Sequence, residues 1–225
     1  RKGFMIQEVK TLREPVRLAE GFDGRALDEM ALDRGWQALA RFGKKLRGFE
    51  AGRVRAVATS AVRQADNAQL FLASAERHLG FPIDVICGHE EARLVYAGVT
   101  HALPSAEDLR LVVDIGGGST ELILGQGSQP LLTESIAIGS GTLSTRFFRG
   151  GDVSAGALQE AERFAILQFE RVARRYRAQG WQQTIGSSGT ARMLAKVLKA
   201  NRLNDFGQDG ITYAGLLRLS LLSVT

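Results

Sequence analysis

Apolar residues recur along this 225-residue chain with two different periods. A spacing of three and four places them on one face of a helix, whereas short runs of β-branched and aliphatic residues are typical of strands. The helical spacing covers residues 26–46, 67–79, 90–103, 154–180 and 216–224, and shorter helices are predicted to end at 148 and to begin after 190. The apolar runs predict strands over 4–9, 11–19, 53–58, 82–87, 109–113, 120–124, 131–138 and 181–185.

A polar segment at residues 104–108 divides these predicted elements into two groups. We take it as a domain boundary, which gives an N-terminal domain over 1–104 and a second domain over 105–225. In the helix that precedes the boundary, the spacing of apolar residues predicts a buried stripe of Leu94, Val95, Gly98 and Val99.

Three consecutive glycines, Gly116 to Gly118, join two of the predicted strands in a hairpin. Glycine tolerates φ > 0 and lets a ligand approach the backbone, and successive N–H groups in such a turn form a concave anion site. Asp114 and Glu121 flank the turn, and carboxylates beside amide groups suit Mg2+ that is shared with a phosphate. The segment is therefore either a metal-assisted phosphate site or a tight β-turn that needs its glycines for the turn alone.

A second glycine-rich segment, residues 186–190, lies between a predicted strand and a predicted helix. Free N–H groups and the helix dipole at such a place favour a bound anion. No lysine follows the segment, so it is not a Walker P-loop, and it lacks a full GxGxxG pattern. An ordinary strand-to-helix turn with a good N-cap explains the segment equally well.

Two segments before the boundary also carry polar groups at the ends of strands. Thr59 and Ser60 end one strand and lead to Arg63, whose planar guanidinium suits a phosphate; alternatively the hydroxyls cap a turn and the arginine is solvated. Glu90 and Glu91 open the next helix, where acidic residues also favour the helix dipole. The two glycine-rich turns lie after the boundary, so a cleft between two domains would bring all four segments together.

The charge balance limits the classes of partner. The chain has 29 basic and 24 acidic residues, a net charge of +5, which suits an anionic ligand but is too small to indicate nucleic acid. No run of about 18 apolar residues occurs, so no membrane partner is expected. The single cysteine, Cys87, excludes an internal disulfide, fits a cytoplasmic location, and is predicted to be buried in a strand.

Four segments together resemble the exopolyphosphatase and guanosine pentaphosphate phosphohydrolase family, Ppx/GppA: residues 58–63, 86–94, 113–122 and 185–190. Their order and rough spacing match across nearly the whole chain. The resemblance implies an α/β fold of two ribonuclease-H-like domains of the actin-like ATPase superfamily, which includes sugar kinases, heat-shock chaperones and actin. The active site is then expected in the cleft between the domains. We also expect the family's first strand, with its Asp-x-Gly-Ser-Asn-Ser turn, and the end of its second domain to lie outside this sequence.

The resemblance also implies roles for individual residues. Glu91 matches the catalytic base that activates water, and Asp114 and Glu121 match an acidic pair around Mg2+ and that water, with Glu121 counted as catalytic as well as metal-binding. The positions that match phosphate ligands are Arg63, the turn residues Gly116, Gly117, Gly118 and Ser119, and the second loop of Gly186, Ser187, Ser188, Gly189 and Thr190.

The implied activity is a Mg2+-dependent release of terminal phosphate from inorganic polyphosphate, conversion of guanosine pentaphosphate to guanosine tetraphosphate, or both. A regulatory protein that binds the alarmone or polyphosphate but hydrolyses it poorly is a second possibility, which the intact Glu91, Asp114 and Glu121 disfavour. An ATP-dependent sugar kinase of the same superfamily is a third, which the Glu-Glu-Ala-Arg run disfavours. The family resemblance further suggests a homodimer.

Overall fold

The computed structural model describes residues 11–104, 107–151 and 153–222. The α-helices in these ranges are α1 (Glu29–Leu46), α2 (Ser60–Arg63), α3 (Ala68–Leu79), α4 (Gly88–Ala102), α5 (Ser140–Phe147), α6 (Ala155–Gln179), α7 (Ser188–Ala200) and α8 (Tyr213–Leu222). The β-strands are β1 (Ala56–Ala58), β2 (Ile83–Val85), β3 (Leu109–Ile115), β4 (Thr120–Gln126), β5 (Gln129–Ile136) and β6 (Gln183–Ser187). Most predicted elements are confirmed within a few residues.

The beginning of the chain differs from its prediction. The strand expected over 4–9 lies outside the described residues, and the strand expected over 11–19 is wrong, because those residues form no strand and end in a short 3-10 helix, Leu18–Gly21. Pro15 has no N–H to donate to a sheet, and Arg17 adopts the left-handed conformation with φ 52°. Both residues oppose a regular strand.

The strands of the described chain form two sheets. Strands β1 and β2 pair in parallel, and the larger sheet has the order β5-β4-β3-β6. In the larger sheet β3, β4 and β5 form an antiparallel meander, which confirms the predicted hairpin, while β6 pairs with β3 in parallel. The mixture of helices and strands is the predicted α/β class.

Helices α1 and α3 pack together beside the small sheet. Their core contains Leu32, Phe71 and Ala75, and the ring of Trp36 stacks on Phe71 at 6.4 Å between centroids. The Asp28 side chain caps α1 by accepting from the N–H of Ala31 at 2.6 Å, which satisfies one of the free donors at the helix start.

Helix α4 packs on the larger sheet. Its buried residues are Ala92 and Tyr96, which lie in one core cluster with Val112 and Ile123. Of the predicted stripe, Val95 and Val99 pack against this cluster, whereas Leu94 and Gly98 are exposed. The helix precedes the predicted boundary at 104, so it lies in the first half of the sequence but packs against the sheet of the second half; the boundary itself stays a prediction. Cys87, predicted to be buried, is exposed and is the N-cap residue of α4.

The second half adds helices around the larger sheet. Helix α6 packs against β5, and its Tyr176 hydroxyl donates to the carbonyl of Leu122 at 2.7 Å. Helix α7 packs on β3 and β6, and α8 packs on α7. None of the helices in the described ranges has the length and apolar character needed to cross a membrane.

A glycine in β4 allows α4 to approach the sheet, and this gives a stability test. A Cβ on Gly125 would overlap the Tyr96 ring and lie 2.6 Å from the carbonyl oxygen of Gln129. Gly125→Ala is therefore expected to lower the free energy of unfolding by about 1–3 kcal/mol, measured by urea denaturation.

Gly98→Ala is the matched control, because a Cβ at that exposed position of α4 meets nothing within 4 Å. It is expected to raise the free energy of unfolding by about 0.5–1 kcal/mol through its higher helix propensity. Equal effects of the two substitutions would contradict the described contact between α4 and the sheet.

Candidate active site

Four polar side chains form a row across the larger sheet, one from each strand. Glu121 on β4 lies opposite Asp114 on β3 and opposite Ser135 on β5, and Asp114 lies opposite Ser187 on β6. Directly opposed residues project from the same face of a sheet, with Cβ atoms about 4.5–5.5 Å apart. The two predicted acidic residues are therefore neighbours, with a hydroxyl on either side.

The glycine turn follows β3 immediately and is held by its neighbours. The N–H of Gly116 donates to the carbonyl of Ser119 at 2.9 Å, which closes the turn, and the Gly116 and Gly117 carbonyls accept from the N–H groups of Ser140 and Thr142 at the start of α5. No described residue accepts from the N–H groups of Gly117, Gly118 or Ser119. Successive free N–H groups of this kind suit an anion, and phosphate binding by the turn stays a prediction.

The turn also lies close to the first half of the chain. A Cβ at Gly118 would lie 3.0 Å from the Ser60 hydroxyl oxygen, and one at Gly117 would lie 3.3 Å from the Cβ of Ala19. Two of the four predicted segments, the glycine turn and the end of β1, therefore meet in the structure.

Arg63 and Glu91 form a partly buried ion pair. The Arg63 Nη1 atom lies 3.2 Å from Glu91 Oε2 and also donates to the carbonyl of Ile86 at 2.7 Å. The side chains are 25% and 16% exposed. Helix α2 supplies the arginine, and the first turn of α4 supplies the glutamate, because the predicted turn at Gly88 and His89 is in fact the start of that helix.

Glu121 is nearly inaccessible to solvent, with 2% of its surface exposed. Burial raises the pKa of Glu121 above its ordinary value, hydrogen bonds from the Ser119 and Ser135 hydroxyls lower it, and the negative charges of Glu91 and Asp114 raise it further. The Ser135 hydroxyl donates to Glu121 Oε1 at 2.8 Å. The influence of Glu91 and Asp114 indicates that three carboxylates share one region.

The second predicted loop has a different structure from the one expected. Gly186 and Ser187 are the last residues of β6, and Ser188 is already the first residue of α7, so the strand runs into the helix without a loop over 186–190. Ser188 has a left-handed φ of 74°, and its hydroxyl donates to the carbonyl of Ile115 at 2.7 Å. A strained backbone held in this way is typical of functional sites.

The start of α7 is nevertheless compatible with an anion. Ser187 occupies the N-cap position but makes no side-chain capping hydrogen bond. The row across the sheet places Ser187 opposite Asp114, so the first turn of α7, with Gly189 and Thr190, begins beside the acidic pair. Phosphate binding by this turn stays a prediction.

The sequence analysis missed one residue of the site, Ser135, which contacts Glu121. Ser135 lies in a strand whose pairing with β4 is set by the tertiary fold, so only the register, which the sequence does not reveal, places it beside Glu121. Ser60 belongs to the predicted segment at the end of β1, and its hydroxyl lies against the glycine turn.

The oxygen donors present are compatible with a partial Mg2+ site. Asp114 and Glu121 are neighbouring carboxylates, and the described residues hold no group of three or more His, Cys, Asp or Glu side chains arranged for a metal. Mg2+ is usually held by one or two carboxylates together with waters and substrate phosphates, and a full protein cage is not needed. The oxygen donors of this pair therefore fit the expected cofactor, and Mg2+ binding stays a prediction.

The raised pKa of Glu121 gives a prediction about stability. Because the folded state binds the Glu121 proton more tightly than the unfolded state, the contribution of this group to stability is fully present below the ordinary glutamate pKa and is lost as the pH rises through the raised pKa. Glu121→Gln, which cannot ionise, is expected to raise the Tm of the chelator-treated protein at neutral pH and to raise it less below about pH 4.3.

The measurement is thermal unfolding across this pH range in the presence of a chelator. The exposed Glu160, replaced by glutamine, is the matched control and is expected to show no such pH-dependent gain. If Glu121→Gln raises the Tm equally at both ends of the pH range, the pKa of Glu121 is not raised in the folded protein.

Comparisons with known proteins identify relatives of this chain. A protein of Haemophilus influenzae, named as a candidate exopolyphosphatase, is 41% identical over 197 residues, which cover 87% of this chain and 61% of that relative. The crystal structure of an exopolyphosphatase-like protein matches 86% of this chain and 63% of its own at 30% identity, with a TM-score of 0.78. An exopolyphosphatase from Cytophaga hutchinsonii matches 92% of this chain and 68% of its own at 28% identity, with a TM-score of 0.67.

The chain thus spans less than two thirds of the length of the first two of these relatives. The predicted α/β class is confirmed, and the chain has the fold of these proteins. The arrangement as two ribonuclease-H-like domains of the actin-like ATPase superfamily, with a cleft between them, stays a prediction. The match to the family model covers residues 1–221, and on this ground the chain belongs to the Ppx/GppA phosphatase family.

Proposed function

We propose that the protein is a phosphohydrolase that releases the terminal phosphate of inorganic polyphosphate. The observation that carries this proposal is the ion pair between Arg63 and Glu91, which lies within electrostatic reach of the buried Glu121. Ser60, on the same short helix as Arg63, lies against the glycine turn. This arrangement combines a carboxylate for water activation with a cation and amide donors for a phosphate. The names of the similar proteins support the same reaction class.

In this proposal the terminal phosphate lies against the free N–H groups of Gly117, Gly118 and Ser119. Arg63 and these donors neutralise the charge that develops on the phosphoryl oxygens. The dipole at the start of α7 favours the same anion from the other side of the row. Binding is thus divided between fixed backbone donors and one movable side chain.

Glu91 is proposed as the general base. It orients a water in line with the terminal phosphorus atom and accepts its proton as the new P–O bond forms. The bond between that phosphorus and the bridging oxygen breaks, and the shortened chain leaves with the bridging oxygen. Asp114 and Glu121 would hold Mg2+, which supplies positive charge to the phosphate oxygens when bound.

Guanosine pentaphosphate ends in the same kind of phosphoanhydride, so its conversion to guanosine tetraphosphate is proposed as a second activity of this site. The oxygen donors of Asp114 and Glu121 support Mg2+ as the cofactor. A homodimer and a cytoplasmic location, expected from the family resemblance and the single cysteine, stay predictions.

The test compares Glu91→Gln with Glu90→Gln. Loss of the base is expected to lower phosphate release with Mg2+ by about 10²–10⁴-fold on the substrate that the protein uses. Glu90 is the neighbouring residue on the same helical turn, but it pairs with Arg93 at the surface at 2.7 Å. Its substitution is expected to leave the rate unchanged.

The substrates are long-chain polyphosphate and guanosine pentaphosphate, each without any acceptor sugar. Release that falls in Glu91→Gln alone would support Glu91 as the base and identify the substrate. Tight binding of either substrate without release by the unsubstituted protein would contradict the hydrolase and favour the sensor. Transfer that occurs only when an acceptor sugar is added would favour a kinase.

A further inference from the structure

Ser135 lies between the two glutamates proposed as catalytic. On one side its hydroxyl donates to Glu121 Oε1 at 2.8 Å, and the register of β4 and β5 places the two residues directly opposite each other. On the other side it contacts α4, the helix whose first turn carries Glu91.

The contact with α4 is made by the backbone of Gly88, the first residue of that helix, because glycine has no side chain. A Cβ at Gly88 would collide with the Cβ of Ser135 and lie 2.6 Å from its hydroxyl oxygen. The same position would be 3.7 Å from Arg63 Nη2. The helix start is thus packed directly on Ser135, and little space remains for that side chain to take another position.

We propose that Ser135 is a positioning residue of the active site, which holds the Glu121 carboxylate in place while the backbone of Gly88 fixes Ser135 itself. This inference rests on the phosphohydrolase function proposed above. It adds a residue to that site which the sequence motifs do not contain.

The physical argument starts from the carboxylate of Glu121. A buried carboxylate needs hydrogen-bond donors, and a donor to one oxygen also sets the direction of the other. With Oε1 bound by Ser135, the plane of the carboxylate is fixed relative to Asp114 and Glu91. Small displacements of groups that act on a reacting phosphate lower the rate of the chemical step more than they weaken binding.

A matched control lies two residues away on the same strand. Thr133 projects from the same face of β5 as Ser135, and its hydroxyl lies 3.1 Å from His89 Nδ1, in the same first turn of α4. Thr133 therefore shares the strand, the face and the contact with the helix, whereas the hydrogen bond of its hydroxyl goes to His89 and does not reach Glu121.

The experiment compares Ser135→Ala with Thr133→Val, each of which removes one hydroxyl from this face. The readouts are kcat and KM for phosphate release from polyphosphate, Tm, and equilibrium binding of polyphosphate. Ser135→Ala is expected to lower kcat by about ten- to a hundredfold with KM and binding nearly unchanged. Thr133→Val is expected to keep the kcat of the unsubstituted protein.

Three results would overturn the inference. The first is an unchanged kcat in Ser135→Ala, and the second is an equal decrease of kcat in both variants. The third is a higher KM and weaker binding of polyphosphate in Ser135→Ala while kcat stays the same. Absence of phosphate release by the unsubstituted protein is a different result, because it contradicts the proposed function itself.

Discussion

The negative charge at the end of β3 and the start of β4 is the constraint on which the rest of this site depends. Glu121 is buried and lies within electrostatic reach of Glu91 and Asp114, and like charges repel strongly where water is excluded. Two kinds of partner offset this repulsion: serine hydroxyls bind Glu121, and a guanidinium binds Glu91. The proposed anionic substrate would need further positive charge beside three carboxylates, and the free amide donors of the glycine turn and the start of α7 would supply it.

The fold supplies these groups from separate parts of the sequence. The larger sheet aligns one residue from each of four strands, and the glycine turn is bound by α5 through its carbonyls, so that its N–H groups remain available. An anion site needs backbone N–H groups without an acceptor, and this turn has them because its structural hydrogen bonds to α5 are made by its carbonyls. The same turn could not be packed so closely on Ala19 and Ser60 with larger side chains.

Local patterns predicted most elements and several site residues. Periodicity located α1, α3 and α6, and the run of glycines located the turn between β3 and β4, because each of these signals lies within a few neighbouring residues. The row from Ser135 to Ser187 could not be predicted, since it depends on the pairing of strands far apart in sequence.

Other errors have a similar physical origin. The predicted buried stripe of α4 is right at Val95 and Val99 but wrong at Leu94, because Ala92 carries little hydrophobic signal, while the exposed Leu94 carries a strong one. Glycine and serine at 186 and 187 favour a loop locally, but pairing with β3 keeps them in the sheet. Tertiary contacts outweigh local preference in both cases.

Helix α4 has one more consequence for how the molecule behaves. Only Ile86 and Cys87 separate it from β2, yet its core residues are anchored on the larger sheet. Any hinge rotation between the small and the large sheet would therefore carry Glu91 along with Glu121 and leave Arg63 behind on α2. The separation of the two glutamates would then stay constant during such a rotation, while the distance between Arg63 and Glu91 would change with it.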